Sequence, residues 1–546
     1  MAFMKEAKQR FDELVQMHFP FEATAETYPD CVAYVDLDKD KRFTYKELDT
    51  EMNRLAHAFK ADGIQPEDLV MSSLFNSVDH IIVNYAAWKV GAIFSPINFR
   101  FAPGNVAHCL EDSKPRVYIY DEELAEVVNQ AIELSSFKPE VVISTRDLDS
   151  YSSKFPDAKP ANPKGITAFH ECIRLYTSGT TGRPKGVPHY HADAYIAALT
   201  HSLAGMHWIP NDSLLIVAPY FHAAGNIPAY MPAFMRGMKV VSIKRFDPIR
   251  VLDAIEAEKL TFLMGPPAAF IAMIDAVKKG YDKDLSSLRG CMLMGAPITR
   301  ETYRGLRDIL KVDVFNGDGT TEALYCHQLS PWDPVEKWEG EATAKNGCPL
   351  PGNLLRIVKI YPDKKATPDE VVPKDGKTIG ELIVKNIHFP GYYHNNPEQT
   401  QAAFRDGWFY TGDNATWDED GYNHLHGRSG DMILSGGENI YPEGLEAALI
   451  EHPAVQDAIV VGLPDPKWGQ LVTAYVVLNK GVNVTPEDLD AHMKAHPMVD
   501  DYARPRLYSF VDELPYTATG KKQRYILRGK VAEDAKEDKL VRVKKM

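Results

Sequence analysis

Helix and strand signals alternate over most of the 546 residues, which predicts an α/β fold with largely parallel sheets. The length exceeds what one core organises and suggests three or four folding units of roughly 150 residues each. The stretch after Asp431 carries helix and strand signals of its own. The expected architecture is therefore a large N-terminal domain of layered β-sheets and helices plus a small C-terminal α/β domain.

Thr44-Tyr45-Lys46-Glu47 has the spacing of a capping box, and Leu48, Met52, Leu55 and Phe59 follow at helical intervals up to Gly63. Residues 69–75 read as a strand, 81–90 as an apolar helix, 92–96 as extended, and 117–120 and 141–144 as short strands. Three prolines and a glycine make 155–165 an exposed connection. A strand-like run at 173–177 precedes a loop rich in glycine and threonine. Beyond that loop, 214–217, 239–243, 261–264 and 291–294 are strand candidates. Towards the C-terminus 445–450 reads as helix and 457–463 and 471–478 as strands. Thr485-Pro486-Glu487-Asp488 then opens a helix with an N-cap, a proline at its first position and acid in its first turn.

The formal charge is −14, from 75 acids against 61 bases, which argues against nucleic acid as a partner. The best apolar run, 81–97, is broken by Asn84 and Lys89, so no integral membrane segment is expected. Residues 1–10 lack a signal-peptide core, and a cytoplasmic location is expected. The six cysteines are scattered with no Cys-x-x-Cys pair, which indicates neither zinc nor a disulfide framework.

The most informative stretch is Tyr176-Thr177-Ser178-Gly179-Thr180-Thr181-Gly182-Arg183-Pro184-Lys185-Gly186-Val187. It holds four aliphatic hydroxyls, three glycines and two cations. Glycine lets backbone N–H groups approach an anion, hydroxyls add donors and Lys185 adds charge, so the composition suits a polyphosphate. Pro184 before Lys185 and Gly186 after it exclude the P-loop pattern.

This stretch closely resembles the phosphate loop of the adenylate-forming superfamily, which includes acyl-CoA synthetases, adenylation domains and beetle luciferases. Further motifs of that family occur once each, in family order, over essentially the whole chain. Gly295-Ala296-Pro297 resembles the segment beside the adenine. Asn316-Gly317-Asp318-Gly319-Thr320-Thr321-Glu322 resembles Tyr-Gly-x-Thr-Glu, with Asp318 where the family has an aromatic that stacks on the base. Tyr410-Thr411-Gly412-Asp413 and Gly427-Arg428 match the ribose and phosphate motifs, and Pro515 to Lys521 matches the C-terminal lysine motif.

The resemblance implies ATP, Mg²⁺ and CoA as cofactors, a carboxylic acid as substrate and a mobile C-terminal domain. It implies an N-terminal domain of 1–427, a C-terminal domain of 428–546, and a hinge near 428–431 with Gly430 at the swivel. Thr177, Ser178, Gly179, Thr180, Thr181, Gly182 and Lys185 would hold phosphates, and Gly295, Ala296, Pro297, Asp318, Gly319, Thr320, Asp413 and Arg428 the remainder of the nucleotide. Lys521, His222, Thr321 and Glu322 would be catalytic, with Glu322 and Thr180 as metal ligands. Gly436 and Gly437 would border the pantetheine channel, which favours CoA as acceptor. Ala223, where amino-acid-activating relatives carry an aspartate, argues against an amino-acid substrate. Gly319, where acetate-specific relatives have tryptophan, implies room for a short-to-medium aliphatic, alicyclic or aromatic acid. The alternatives are a carrier-protein acyl ligase, a luciferase-like adenylating enzyme, or a nucleotide-binding sensor without catalysis.

Overall fold

A computed structural model describes residues 2–543 apart from 178–182, 204–205, 342, 362–363, 388–390, 429, 436–437, 466–467, 497–498, 500, 502 and 518–520. Among the described residues the strands form four sheets. The first runs in the order Cys348–Pro349, Leu324–Leu329, Asp313–Thr320, Gly290–Met294, Phe262–Gly265, Ser213–Ile216, Lys239–Ser242, Val32–Asp36, Lys41–Thr44. Its six central strands are parallel and its margins antiparallel. The second sheet contains Val141–Ser144, Val117–Tyr120, Leu69–Ser73, Ile93–Pro96, Glu171–Thr177 and Lys185–Tyr190, with only the last pair antiparallel.

The two remaining sheets depart from the expected parallel pattern. The third, built from Asn353–Val358, Gly380–Asn386, Phe404–Arg405, Trp408–Trp417 and Asn423–Arg428, is antiparallel throughout. One pair has a plain local cause: at Asp406-Gly407 both residues have positive φ, +52° and +73°, and the chain reverses in two residues, too few for a crossover helix. The fourth sheet starts at Ile433–Ser435 and centres on the long antiparallel pair Val455–Asp465 and Gly469–Leu478, with one parallel neighbour, Leu507–Phe510.

The main core fills the space between the first two sheets and the helices on them. Tyr45–Ala61 starts at the expected capping box, with Thr44 and Glu47 exchanging bonds, and buries Leu48, Met52, Leu55 and Phe59. Val78–Lys89 is the expected apolar helix; its Trp88 is fully buried and donates from Nε1 to the Cys172 carbonyl at 2.7 Å. Lys89 is buried too and is matched by Glu22 at 2.5 Å and Asp49 at 2.9 Å, the pairing a buried ammonium requires. All six cysteines are free thiols, and no described helix is long and apolar enough to cross a membrane.

Candidate active site

The glycine-rich loop joins two paired strands. Glu171–Thr177 and Lys185–Tyr190 are antiparallel with Thr177 opposite Lys185, so the loop leaves and re-enters the sheet at one point. Its apex, Ser178, Gly179, Thr180, Thr181 and Gly182, lies outside the described residues. Lys185 is half-buried, and burial lowers its pKa while the nearby Glu322 charge opposes the shift. Its ammonium stands 4.3 Å over the ring of Tyr393.

A second hairpin, Asp313–Thr320 with Leu324–Leu329, carries Thr321 and Glu322 in its turn. Its shape is fixed from inside by Thr320, whose hydroxyl accepts from the Ala323 N–H at 3.0 Å. From outside, His189 Nε2 lies 2.9 Å from the Thr321 carbonyl, and only a protonated ring nitrogen satisfies that contact. Glu322 is buried, and Tyr393 donates its hydroxyl to Oε1 at 2.6 Å.

Asp318 has oxygens already in use. Oδ1 accepts from the Gly319 N–H at 2.7 Å, Oδ2 accepts from Asn346 Nδ2 at 3.1 Å, and His327 Nε2 lies 3.7 Å away. Burial pushes the carboxyl up, but His327, the Lys521 charge and the Gly319 N–H outweigh it and hold the pKa below the usual aspartate value.

Gly319 corrects the pocket expectation. A Cβ at this position would collide with the Leu324 carbonyl and crowd the Tyr325 backbone. The missing side chain therefore accommodates the partner strand of its own hairpin and does not open acyl space. Gly317 behaves alike, because the Tyr325 phenol lies where its Cβ would stand.

Asp413 and Arg428 are cross-strand partners, and Arg428 Nε binds Asp413 Oδ1 at 2.8 Å while its NH1 donates to the Thr411 carbonyl. The expected acceptor for ribose hydroxyls thus has one oxygen engaged by the arginine. Burial raises the Asp413 pKa, with Arg428 and Lys521 opposing.

Gly295, with φ +84°, turns the chain after Gly290–Met294 and leads into half-buried Ala296 and exposed Pro297. Lys521 Cε reaches to 3.6 Å from where a Gly295 Cβ would stand. Lys521 follows 518–520, outside the described residues, and its backbone N–H donates to the Thr517 hydroxyl at 3.0 Å. Its charge acts on His222, Asp318 and Asp413 together. His222 is half-buried, accepts the Ala224 N–H at Nδ1, and is held neutral, its pKa pulled to about 3 by burial and then by Lys521.

The fold gathers Lys185, Glu322, Asp318, Asp413, Arg428, Gly295, His222 and Lys521 from separate parts of the sequence. Gly436 and Gly437 lie outside the described residues. Four participants escape the sequence reading: Tyr393, His189, Asn346 and His327. Gly391-Tyr392-Tyr393 offered an aromatic after a glycine, but nothing local announces that its ring meets Lys185 and Glu322.

Comparison with known proteins adds the family. A profile of the AMP-binding enzyme family matches residues 21–393, and a profile of the AMP-binding enzyme C-terminal domain matches 444–521. The protein is an AMP-binding enzyme. It is 33% identical over 493 residues to a feruloyl-CoA synthase of an Amycolatopsis species, covering 89% of this chain and 93% of that one. It is 31% identical over 502 residues to a long-chain-fatty-acid–CoA ligase of Mycobacterium tuberculosis, covering 92% and 95%. An anthranilate CoA ligase solved in complex with anthranoyl-AMP superposes with a TM-score of 0.86 at 25% identity, covering 95% of this AMP-binding enzyme and 98% of that chain.

Proposed function

We propose that this AMP-binding enzyme is an AMP-forming acid–thiol ligase. A carboxylate oxygen attacks the α-phosphorus of ATP and pyrophosphate leaves with the P–O bond electrons. The CoA thiol then attacks the acyl carbon of the adenylate and loses its proton, giving a thioester and AMP. Passing through the mixed anhydride supplies AMP as a good leaving group.

The reading rests chiefly on Lys521. A cation from the far end of the chain lies beside Gly295 and acts on His222, Asp318 and Asp413 at once, where negative charge builds up on an α-phosphate. Thr321 would donate to the carboxylate or α-phosphate, and Lys185 would meet the outer phosphates. Asp413 and Arg428 would hold the ribose. Half-buried neutral His222 would line the acyl site.

Glu322 suits Mg²⁺, since it is a buried carboxylate with one oxygen bound to Tyr393 and the other uncommitted among the described residues. Thr180 would be a second ligand. No group of three or more His, Cys, Asp or Glu gathers elsewhere among the described residues as a metal site. The bound ion would neutralise phosphate charge.

The division into 1–427 and 428–546 is supported by the change of sheet between Asn423–Arg428 and Ile433–Ser435. Beyond it, Arg528 binds the Gly430 carbonyl and Asp431, attaching those residues to the C-terminal helix Arg524–Lys536, which supports a hinge near 428–431. Gly436 and Gly437 would border the thiol channel and favour CoA over a carrier protein. Ala223 favours an acid without an α-ammonium, and the substrate is a short-to-medium aliphatic, alicyclic or aromatic carboxylate; the aromatic choice is supported by the relatives named for ferulate and anthranilate. The proposed location is cytoplasmic.

The deciding experiment measures pyrophosphate, AMP and CoA thioester over a panel of carboxylic acids. We predict all three products, and Lys521→Ala lowering pyrophosphate release by about 10²- to 10³-fold. A sensor would bind ATP without turnover, a carrier ligase would yield no CoA thioester, and an undiminished Lys521→Ala rate would remove the lysine from the mechanism.

A further inference from the structure

We infer that Tyr393 is a positioning residue that presents the Glu322 carboxylate to the divalent cation accompanying ATP. The inference rests on the reading of Glu322 given above and goes beyond it, to a residue from a distant part of the chain.

Three facts carry it. The Tyr393 hydroxyl donates to Glu322 Oε1 at 2.6 Å and is the one hydrogen-bond donor to that carboxylate among the described residues. The same ring lies 4.3 Å beneath the Lys185 ammonium, so one side chain touches both the phosphate hairpin and the acidic turn. Its segment is itself anchored: the Tyr393 N–H donates to the Thr400 hydroxyl at 2.9 Å, the ring meets Phe404 edge-on at 5.5 Å, and the next residue, His394, donates its backbone N–H to the Gly186 carbonyl at 2.9 Å.

The consequence is geometric and electrostatic. A carboxylate with one oxygen held by a phenol cannot rotate freely, so Oε2 keeps a fixed direction toward an incoming cation. Of the two groups the phenol is the donor and the carboxylate oxygen the acceptor, so the contact fixes which oxygen of Glu322 is engaged. The ring face also gives Lys185 a neutral support, which keeps the ammonium apart from the carboxylate without a direct ion pair that would neutralise both. Groups that orient a metal ligand in this way typically contribute about 10- to 100-fold to metal affinity.

The test compares Tyr393→Phe, which keeps the ring under Lys185 and removes only the hydroxyl, with Glu322→Gln. Binding of Mn²⁺ in the presence of ATP and absence of acid, followed by electron paramagnetic resonance, reads the cation without turnover. Pyrophosphate release against free Mg²⁺ gives the kinetic counterpart. We expect Tyr393→Phe to weaken Mn²⁺ by about tenfold, to raise the Mg²⁺ requirement equally, and to recover most of its rate at saturating Mg²⁺. Thioester formation from supplied acyl-adenylate should be unchanged. A purely structural tyrosine would lower the unfolding midpoint and leave Mn²⁺ affinity alone. That result, with Glu322→Gln weakening the ion, overturns the assignment of Tyr393. Unaltered Mn²⁺ binding in Glu322→Gln instead overturns the reading of Glu322 itself. Thr400→Ala, which removes the acceptor of the Tyr393 N–H, should shift the Mg²⁺ requirement the same way by a smaller factor and carries the test should Tyr393→Phe not fold.

Discussion

At position 319 the hairpin leaves no room for even a methyl group, because the Leu324 carbonyl occupies that space. Gly319→Ala should therefore reduce turnover of every acid by a similar factor, and Gly319→Trp more severely, with no drift toward acetate. A kinetic panel over chain lengths checks this; preserved total rate with a shortened preference would restore the pocket reading. Residue types at the site were largely legible, since a phosphate loop, an acid after two threonines and a terminal lysine need particular chemistry. What they touch was not. Asp318 could be seen to be unable to stack, but that Asn346 and His327 would surround it depends on strands pairing across the sheet. Tyr393 lies outside the strands, and its contacts with Glu322 and Lys185 arise only when distant segments pack together.

Helices were easier to read than hairpins. The capping box at Thr44 states where Tyr45–Ala61 begins, and the apolar spacing states which face is buried. Thr44→Ala should lower stability by about 1 kcal/mol, read from the urea midpoint, since it strands an N–H at the helix start. No loss would show that tertiary contacts alone hold this end. The N-cap at Thr485 was equally plain, and the structure makes it a second capping box with Asp488. The antiparallel third sheet is hard to read although Asp406-Gly407 is a strong two-residue turn signal, because which strands pair across the longer connections is not written locally. Parallel strands such as Phe262–Gly265 were found because burial on both faces makes them continuously apolar.

Across the molecule, burial holds His18, His80, His191, His201, His222 and His426 neutral, with pKa values pulled from 6.5 to about 3. The unfolded chain takes up these protons first, so the stability from burying neutral rings is complete above about pH 6.5 and is lost as pH falls toward 3. Asp79 and Asp193, whose carboxyls burial raises, pull the other way. His80 isolates the effect, because neither ring nitrogen has a partner among the described residues and Phe94, Tyr220 and Tyr230 surround it at 5.3, 5.4 and 6.0 Å. The urea midpoint of His80→Phe should gain on the parent as pH drops from 7 to 5. Parallel curves would mean that His80 does not titrate on unfolding.

The strand Asn423–Arg428 and the helix Pro442–Ile450 meet at Gly427, where the Glu443 carboxyl fills the place a Cβ would take. A methyl at 427 would displace the Glu443 carboxyl, the far end of a flexible side chain, and would strain a backbone whose φ is +99°, loosening this seam while leaving every reacting group in place. Gly427→Ala should then impair pyrophosphate release far more than thiol transfer from supplied adenylate, and small-angle scattering should report a displaced terminal lobe.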